Sequence, residues 1–448
     1  MWLLPAISLV SAAAGRIYYR LTVAGGRIPH GGPVLLVANH TNSLLDPVLV
    51  AAAARRPVRF LAKAPLFTDR KVGWLIRASG AIPVYRRVDD PQAMDANVDT
   101  FRAVHQALAG GAAIGIFPEG LSHSEPRLAR LKTGAARIAL GTLAQHPEPF
   151  PIVPVGLVFR SKDIFRSDAL VVVGQPVAWD DLAIHTPDDR DAVQELTRRI
   201  DGAMRQVTIN LERWEDQPLV DCAEAVWQAE WGGGGGGDGG GDTDPARKVE
   251  RLEVTTSILS HIRSAPDPRA SALVDDVARH CRQLERLGVT PGDLGVDVRL
   301  RASLRWGLRR FYLVGVPAFV VALAGLAVTW LPNQVTGRVA MALRPNVDQR
   351  STFKLLIGAA VYLMWIGFLA LLVGAVKGVL AGAATVVAVP AIGLVGRRTR
   401  ERWSGALKDA RRFFLLRARR EMVEGLRKQQ REIAEGLREL YDKERGGP

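Results

Sequence analysis

Residues 38–51, ANHTNSLLDPVLVA, set His40 six positions before Asp46, a pairing that could make a base and the acid that orients it. A carboxylate that accepts one imidazole N–H fixes the tautomer and raises the basicity of the other ring nitrogen. At about 100° per residue, six positions span roughly 240° of a helix, so the pair cannot share one face of a regular helix. Asp46 precedes Pro47, which disfavours helical angles at the residue before it. Pro47 itself suits the first position of the helix that PVLVAAAA would form. Asp46 is therefore expected to be the N-cap of that helix, with His40 in the loop after a strand. One carboxylate oxygen would cap the helix and the other would receive the imidazole. A helix cap beside an incidental histidine fits this stretch equally well.

Three further stretches bear on the choice. GAIPVYRR, 80–87, ends an apolar strand with Arg86 and Arg87, and guanidinium forks suit phosphate. IFPEGLSHSE, 116–125, ends another with Pro118, Glu119 and Gly120. It continues through PRLARLKTGAARIAL, where Lys132 precedes an expected helix start at Thr133 and Gly134. A helix N-terminus with a cation beside it favours an anion. IVPVGL, 152–157, is an apolar strand interrupted by Pro154.

Taken in order, these stretches resemble the four blocks of the glycerolipid acyltransferase family, which includes glycerol-3-phosphate and 1-acylglycerol-3-phosphate acyltransferases. The blocks stand here as NHTNSLLD, GAIPVYR, FPEGLS and VPVG, and the resemblance covers about residues 30–215. Five residues separate His40 from Asp46, where the commonest family pattern has four. That variant is similar to a branch with fungal-type glycerol-3-phosphate and dihydroxyacetone-phosphate acyltransferases. The spacing leaves the acceptor open.

The resemblance implies that His40 is the general base and Asp46 its orienting acid. His40 would take the proton of an acceptor hydroxyl, which attacks an acyl thioester with no covalent acyl-enzyme. Arg86 matches the phosphate-binding arginine of the second block. Glu119, Gly120 and Ser122 fall in the acceptor-binding third block, and Pro154 shapes the fourth, near the acyl chain. Lys132 is added as an acceptor ligand on charge and position. The expected co-substrate is acyl-CoA or acyl carrier protein, with no metal or cofactor. The acceptor is a glycerol phosphate or a lysophospholipid, the product belonging to phospholipid biosynthesis. A non-catalytic membrane scaffold on the same fold is the alternative, opposed by the intact His40, Asp46, Arg86 and Glu119. A lipid hydrolase is another, and no Gly-x-Ser-x-Gly elbow supports it.

The elements that must position these residues alternate. Apolar strands are expected at 33–38, 58–62, 81–85, 112–117, 152–159 and 169–174, with helices between them such as Gln92 to Ala109 and Thr133 to Gln145. Continuous apolar strands separated by helices argue for an α/β acyltransferase domain, a mostly buried sheet flanked by helices, over 30–215. A C-terminal helical membrane region follows it.

Residues 1–29 read as an uncleaved membrane-contacting segment, because no basic n-region precedes the apolar run. Residues 216–305 hold the linker WGGGGGGDGGGDTDP and a helical stretch ending at a Gly288 cap. Residues 306–396 hold three uncharged runs: 312–331 and 355–376, each near the length that crosses ~30 Å of hydrocarbon, and 378–396, which is rich in Gly and contains Pro390. Residues 397–448 form a basic tail, 16 Lys+Arg against 9 Asp+Glu, half of the chain's net +14. Trp403, Leu407, Ala410 and Phe414 recur there at helical spacing, as in a helix lying on an anionic bilayer or one packed in a coiled coil.

The charge thus points to a lipid bilayer. No recognition motif accompanies it, so no nucleic acid is expected. The two cysteines, Cys222 and Cys281, have no C-x-x-C spacing and suggest no disulfide framework or zinc site. The expectation is an integral membrane protein, of the cytoplasmic membrane if bacterial, with its active site facing the cytosol. Arginines flank the apolar runs at 299–310 and 397–402. The positive-inside tendency puts both groups in the cytosol and favours an even number of crossings. Either 378–396 fails to cross, or 312–331 only dips in while 355–396 forms a hairpin turning at Lys377 and Gly378.

Overall fold

The six expected strands all form, and a seventh joins them. The computed structural model describes residues 4–70, 73–86, 95, 97–231, 255–256, 259, 267–295 and 315–445. Helix α1 (Leu4–Tyr18) leads into β1 (Arg20–Gly25), then β2 (Val34–Ala38), α2 (Leu45–Ala54) and β3 (Val58–Lys63). Short helices α3 (Pro65–Thr68) and α4 (Gly73–Ala78) precede β4 (Ile82–Val84). Next come α5 (Asn97–Ala109), β5 (Ala113–Ile116), α6 (Gly134–Thr142), β6 (Ile152–Phe159), β7 (Asp168–Val173) and α7 (Arg190–Arg205). Of the expected helix from Gln92, the turns before Asn97 fall largely outside the described residues, as do Arg87 and Arg299 to Arg310.

The strands make one sheet in the order β1-β7-β6-β2-β5-β3-β4. Every pairing is parallel except β6 with β7. Strand β2, VLLVA, is wholly buried at the centre between β5 and β6, as a continuous apolar run in a doubly covered sheet must be. Leu35 and Val37 pack with Ile114, Ile138, Leu140, Leu196 and Ile200 in the main core. The sheet begins before residue 30, because Arg20–Gly25 pairs with β7 and Tyr18 and Tyr19 are buried behind it. This strand escapes the apolar-run criterion because it is an edge, with four of its six residues exposed.

Residues 1–220, 243–260 and 347–352 form one compact unit. Residues 221–242, 261–346 and 353–448 form a second. The second contains most of α8 (Gln217–Trp231), then α9 (Pro268–Leu287), α10 (Gly315–Ala342) and, from Phe353 on, α11 (Arg350–Lys377). Helices α12 (Val379–Ala418) and α13 (Arg420–Arg445) complete it. Gly288 ends α9 with φ +66°, its N–H bonded to the carbonyls of Glu285 and Leu284, the cap expected of glycine there.

One expectation changes in this region, at the cysteines. Helix α10 runs through Pro332 to Ala342. Val379 to Gly396 lie in the continuous helix α12, with Pro390 inside it. Cys222 and Cys281, 59 residues apart, are joined in a disulfide. Helix packing brings them together, which sequence spacing does not reveal.

Helices α11 and α12 break at Gly378, φ +91°, a hairpin closed by the approach of Gly374 to Gly382. Among the described residues, Arg350–Lys377 and Val379–Glu401 are the two stretches long and apolar enough to cross a membrane. Val423, Leu426, Ile433 and Ala434 of α13 are buried, so this part of the tail uses its apolar stripe for helix packing.

Candidate active site

The chemistry-bearing residues gather just past the carboxyl ends of parallel strands, where open α/β sheets bind ligands. His40 follows β2 by two residues, Arg86 follows β4 by two, and Glu119 follows β5 by three. The imidazole and carboxylate do meet. Nδ1 of His40 lies 2.8 Å from Oδ2 of Asp46, which is fully buried, while the His40 side chain is 21% exposed. The His40 ring stacks on Phe117, centroids 4.2 Å apart, and Phe117 stacks in turn on Phe60. With Nδ1–H held by the carboxylate, Nε2 is the nitrogen left to accept a proton.

Asp46 is not the N-cap. Helix α2 begins at Leu45 and has no side-chain cap, because the 42–46 turn supplies main-chain acceptors instead. The N–H of Leu45 donates to Asn42 O and that of Asp46 to Ser43 O. The carboxylate turns back on the loop, where the same Oδ2 accepts from the N–H of Asn42 at 2.7 Å. Ser43 sits at φ +47°, a left-handed conformation uncommon for a residue with a side chain.

Glu119 is 2% exposed. Its Oε1 accepts the His40 N–H at 2.7 Å. Its Oε2 accepts the Ala129 N–H at 2.8 Å and bonds His123 Nε2. Both oxygens thus serve to hold the loops. That hydrogen bond from Glu119 raises the pKa of His123, and the N–H of His123 closes on the carbonyl of His40 at 3.1 Å. Ser122 also faces the loop: its Oγ accepts from the N–H of Ser43 at 3.2 Å.

Gly120 has φ +73°, a conformation that favours glycine, and a Cβ there would meet Nζ of Lys132 at 2.6 Å. Arg86 Nη1 donates to the Gly120 carbonyl at 2.9 Å. Two cations, Arg86 and Lys132, therefore converge on the third block. Lys132 does precede a helix start, α6 at Gly134. Pro154 is not with them. It lies buried within β6, paired with Val37, below the strand ends where the others gather.

Several residues escape the sequence reading. Asn39 extends β2 by acting as a strand with its side chain: Nδ2 donates to Leu157 O at 3.0 Å and Oδ1 accepts from Leu157 N at 2.7 Å. Lys162, three residues past β6, has a buried Nζ with no hydrogen-bond partner among the described residues. The ammonium lies 5.2 Å from the centre of the Trp214 ring. Burial lowers its pKa, against the nearby carboxylates of Asp46, Asp348 and Glu119. Among the described residues, no group of three or more His, Cys, Asp and Glu converges as a metal site would.

The family model described as Acyltransferase matches residues 20–158, the stretch that holds His40, Asp46, Arg86 and Glu119. The chain contains an acyltransferase-family domain. Glycerol-3-phosphate O-acyltransferase 1 of Saccharomyces cerevisiae is 34% identical over 288 residues, 59% of this chain and 36% of that protein. Glycerol-3-phosphate O-acyltransferase 2 of the same yeast is 32% identical over 135 residues, 30% of this chain and 18% of that protein. A 1-acyl-sn-glycerol-3-phosphate acyltransferase of Streptococcus pneumoniae is 28% identical over 176 residues, 38% of this chain and 62% of that protein. The chain thus spans about a fifth to a third of the yeast proteins. In the acyltransferase domain, the sheet's carboxyl edge brings first-, second- and third-block residues together, and the fourth block supplies the strand beside them.

Proposed function

We propose that this domain transfers a fatty acyl group from a thioester to a hydroxyl of a glycerol phosphate, making a phospholipid precursor. The observation that carries the reading is the 2.8 Å pairing of His40 Nδ1 with buried Asp46, which directs the other ring nitrogen to base chemistry. The acceptor hydroxyl gives its proton to Nε2 as its oxygen bonds to the thioester carbonyl carbon. The tetrahedral intermediate then collapses, the C–S bond breaks, and the thiolate leaves with the proton from Nε2. General-base help of this kind supplies roughly 10²–10⁴-fold. Arg86 and Lys132 take the acceptor phosphate, a guanidinium fork and an ammonium that both reach Gly120. Glu119 and Ser122 act on the acceptor through the loops they hold. Pro154 borders the acyl chain through the strand it shapes.

Glycerol 3-phosphate is the favoured acceptor, supported by the names of the two yeast relatives and the longer His40–Asp46 spacing. 1-Acylglycerol 3-phosphate is its rival, supported by the Streptococcus relative. The deciding experiment assays the purified full chain with both acceptors, each offered acyl-CoA and acyl carrier protein thioesters. No transfer to either acceptor from either donor overturns the reading. In the same assay, Arg86→Ala is expected to raise the acceptor KM about tenfold or more, the loss of one charge-assisted contact, and to move the donor KM less. The reverse pattern would place Arg86 against the donor's phosphates.

The domain works at a bilayer, with α11 and the apolar part of α12 crossing as a hairpin. Leu363, Met364, Phe368, Leu371 and Val376 are exposed along α11, which suits lipid. Two crossings keep the basic tail and the active site on the cytosolic side, where acyl thioesters are found. Single cysteines at Asn346 and Arg420 are expected to be labelled from the cytosol. Cys222 and Cys281 are first replaced by serine, so that each introduced cysteine is the sole thiol. External labelling at position 420 alone would require an odd number of crossings between the two sites.

A further inference from the structure

Val347–Thr352 stands far along the chain from residues 20–158, yet it belongs to the same compact unit. Its last three residues are the first turn of α11. Ser351 is completely buried, and its Oγ donates to the carbonyl of Lys162 at 2.7 Å. That carbonyl also accepts the hydroxyl of Tyr19. The Tyr19 oxygen accepts from Nδ2 of Asn42 at 2.7 Å, the Asn42 N–H donates to Asp46 Oδ2, and Asp46 Oδ2 holds His40. Thr352 reaches the same loop directly, its Oγ1 accepting the N–H of Leu44 at 3.3 Å. Arg350 stands 4.0 Å from Asp163, the neighbour of Lys162.

We propose that Ser351 and Thr352 are positioning residues of the His40–Asp46 site, so that the first turn of an apolar helix is part of the catalytic framework. The loop needs outside support. Ser43 is held in a left-handed conformation, which persists only when its surroundings over-determine it. Leu44 heads α2 without a local side-chain cap. The head of a helix presents N–H groups with no intrahelical partner, and Thr352 brings an acceptor from 308 residues away. Ser351 anchors the other end, through the carbonyl on which Tyr19 and then Asn42 are built. A displacement of about 1 Å at a reacting group can cost 10²-fold in rate, so a loop fixed at both ends is worth more than its two hydrogen bonds.

The inference rests on His40 as the general base, and its test separates the two. The full chain is compared with Thr352→Val, which removes the hydroxyl but keeps the shape, Thr352→Ser, which keeps the hydroxyl, and a Ser351→Ala/Thr352→Val double variant. The Lys162 carbonyl retains Tyr19 as a donor in the double variant, and circular dichroism of each variant checks the fold before turnover is read. The double variant is expected to lose roughly 10- to 100-fold in kcat, with both KM values little changed, and Thr352→Ser to stay near wild type. Amide hydrogen exchange in residues 40–46 is expected to speed up about tenfold, the loss of one good hydrogen bond, with β5 and β6 unchanged. Unchanged exchange in 40–46 overturns the inference whatever turnover does. A wild-type chain that acylates neither acceptor overturns the general-base reading, and exchange still decides the role of Ser351 and Thr352.

Discussion

His40→Ala is expected to lower acyl transfer by about 10²–10⁴-fold while lowering the thermal midpoint of unfolding by only about 2–5 °C, since buried Asp46 loses one donor and keeps the Asn42 N–H. The ring is partly exposed, and its contacts among the described residues include the stack on Phe117 and the Asp46 bond. The loop is anchored by the His40 main chain, through its N–H to Glu119 and its carbonyl to His123, and alanine keeps both. Asp46→Asn is expected to be severe in activity and to cost stability as well. An amide must supply one acceptor to two donors already aimed at Oδ2, and its NH₂ group enters a fully buried place. Near-normal turnover of His40→Ala would remove the proposed mechanism.

Glu119→Ala is expected to be the most damaging change for the fold. It strands the N–H groups of His40 and Ala129 and the ring of His123. Each buried donor left unsatisfied costs about 1–3 kcal/mol, a large part of the ~5–15 kcal/mol that holds a typical domain. A fall of about 10 °C or more in Tm follows, together with loss of transfer. Wild-type Tm and turnover would show that the carboxylate holds nothing. The His123 contact adds a pH dependence. Its folded pKa is raised above the ordinary ~6.5, so its stabilisation is complete below that value and fades as pH rises through the folded pKa. His123→Gln is expected to flatten the dependence of Tm on pH in that window.

Much of the sheet was legible because its central strands are continuous apolar runs, and such runs have few other places to go. The His40–Asp46 pairing was legible through the four-block resemblance, since its own stretch fits a helix cap beside an incidental histidine equally well. Its geometry was not: Asp46 enters the helix because Asn42 and Ser43 offer carbonyls to the turn, a choice made in three dimensions. The same holds for Tyr19, Lys162 and Ser351. They meet at one main-chain carbonyl across separations of 143 and 189 residues, and a main-chain carbonyl leaves no mark in the residue type. β1 was hidden for a simpler reason: an exposed edge strand carries no apolar signature. Glu119 was legible as important, and its inward orientation could have been inferred only from how many N–H groups surround it.

The covalent link between α8 and α9 changes what a cut in the chain means. Cys222 and Cys281 lie on either side of the glycine run that starts at Gly232. A protease that nicks between them separates the polypeptide in sequence but not in mass. Under non-reducing electrophoresis the nicked protein migrates as one species, and only a reductant releases two fragments. The part carrying His40 thereby keeps its covalent connection to the part carrying Ser351 and Thr352, even when the peptide backbone between them is broken.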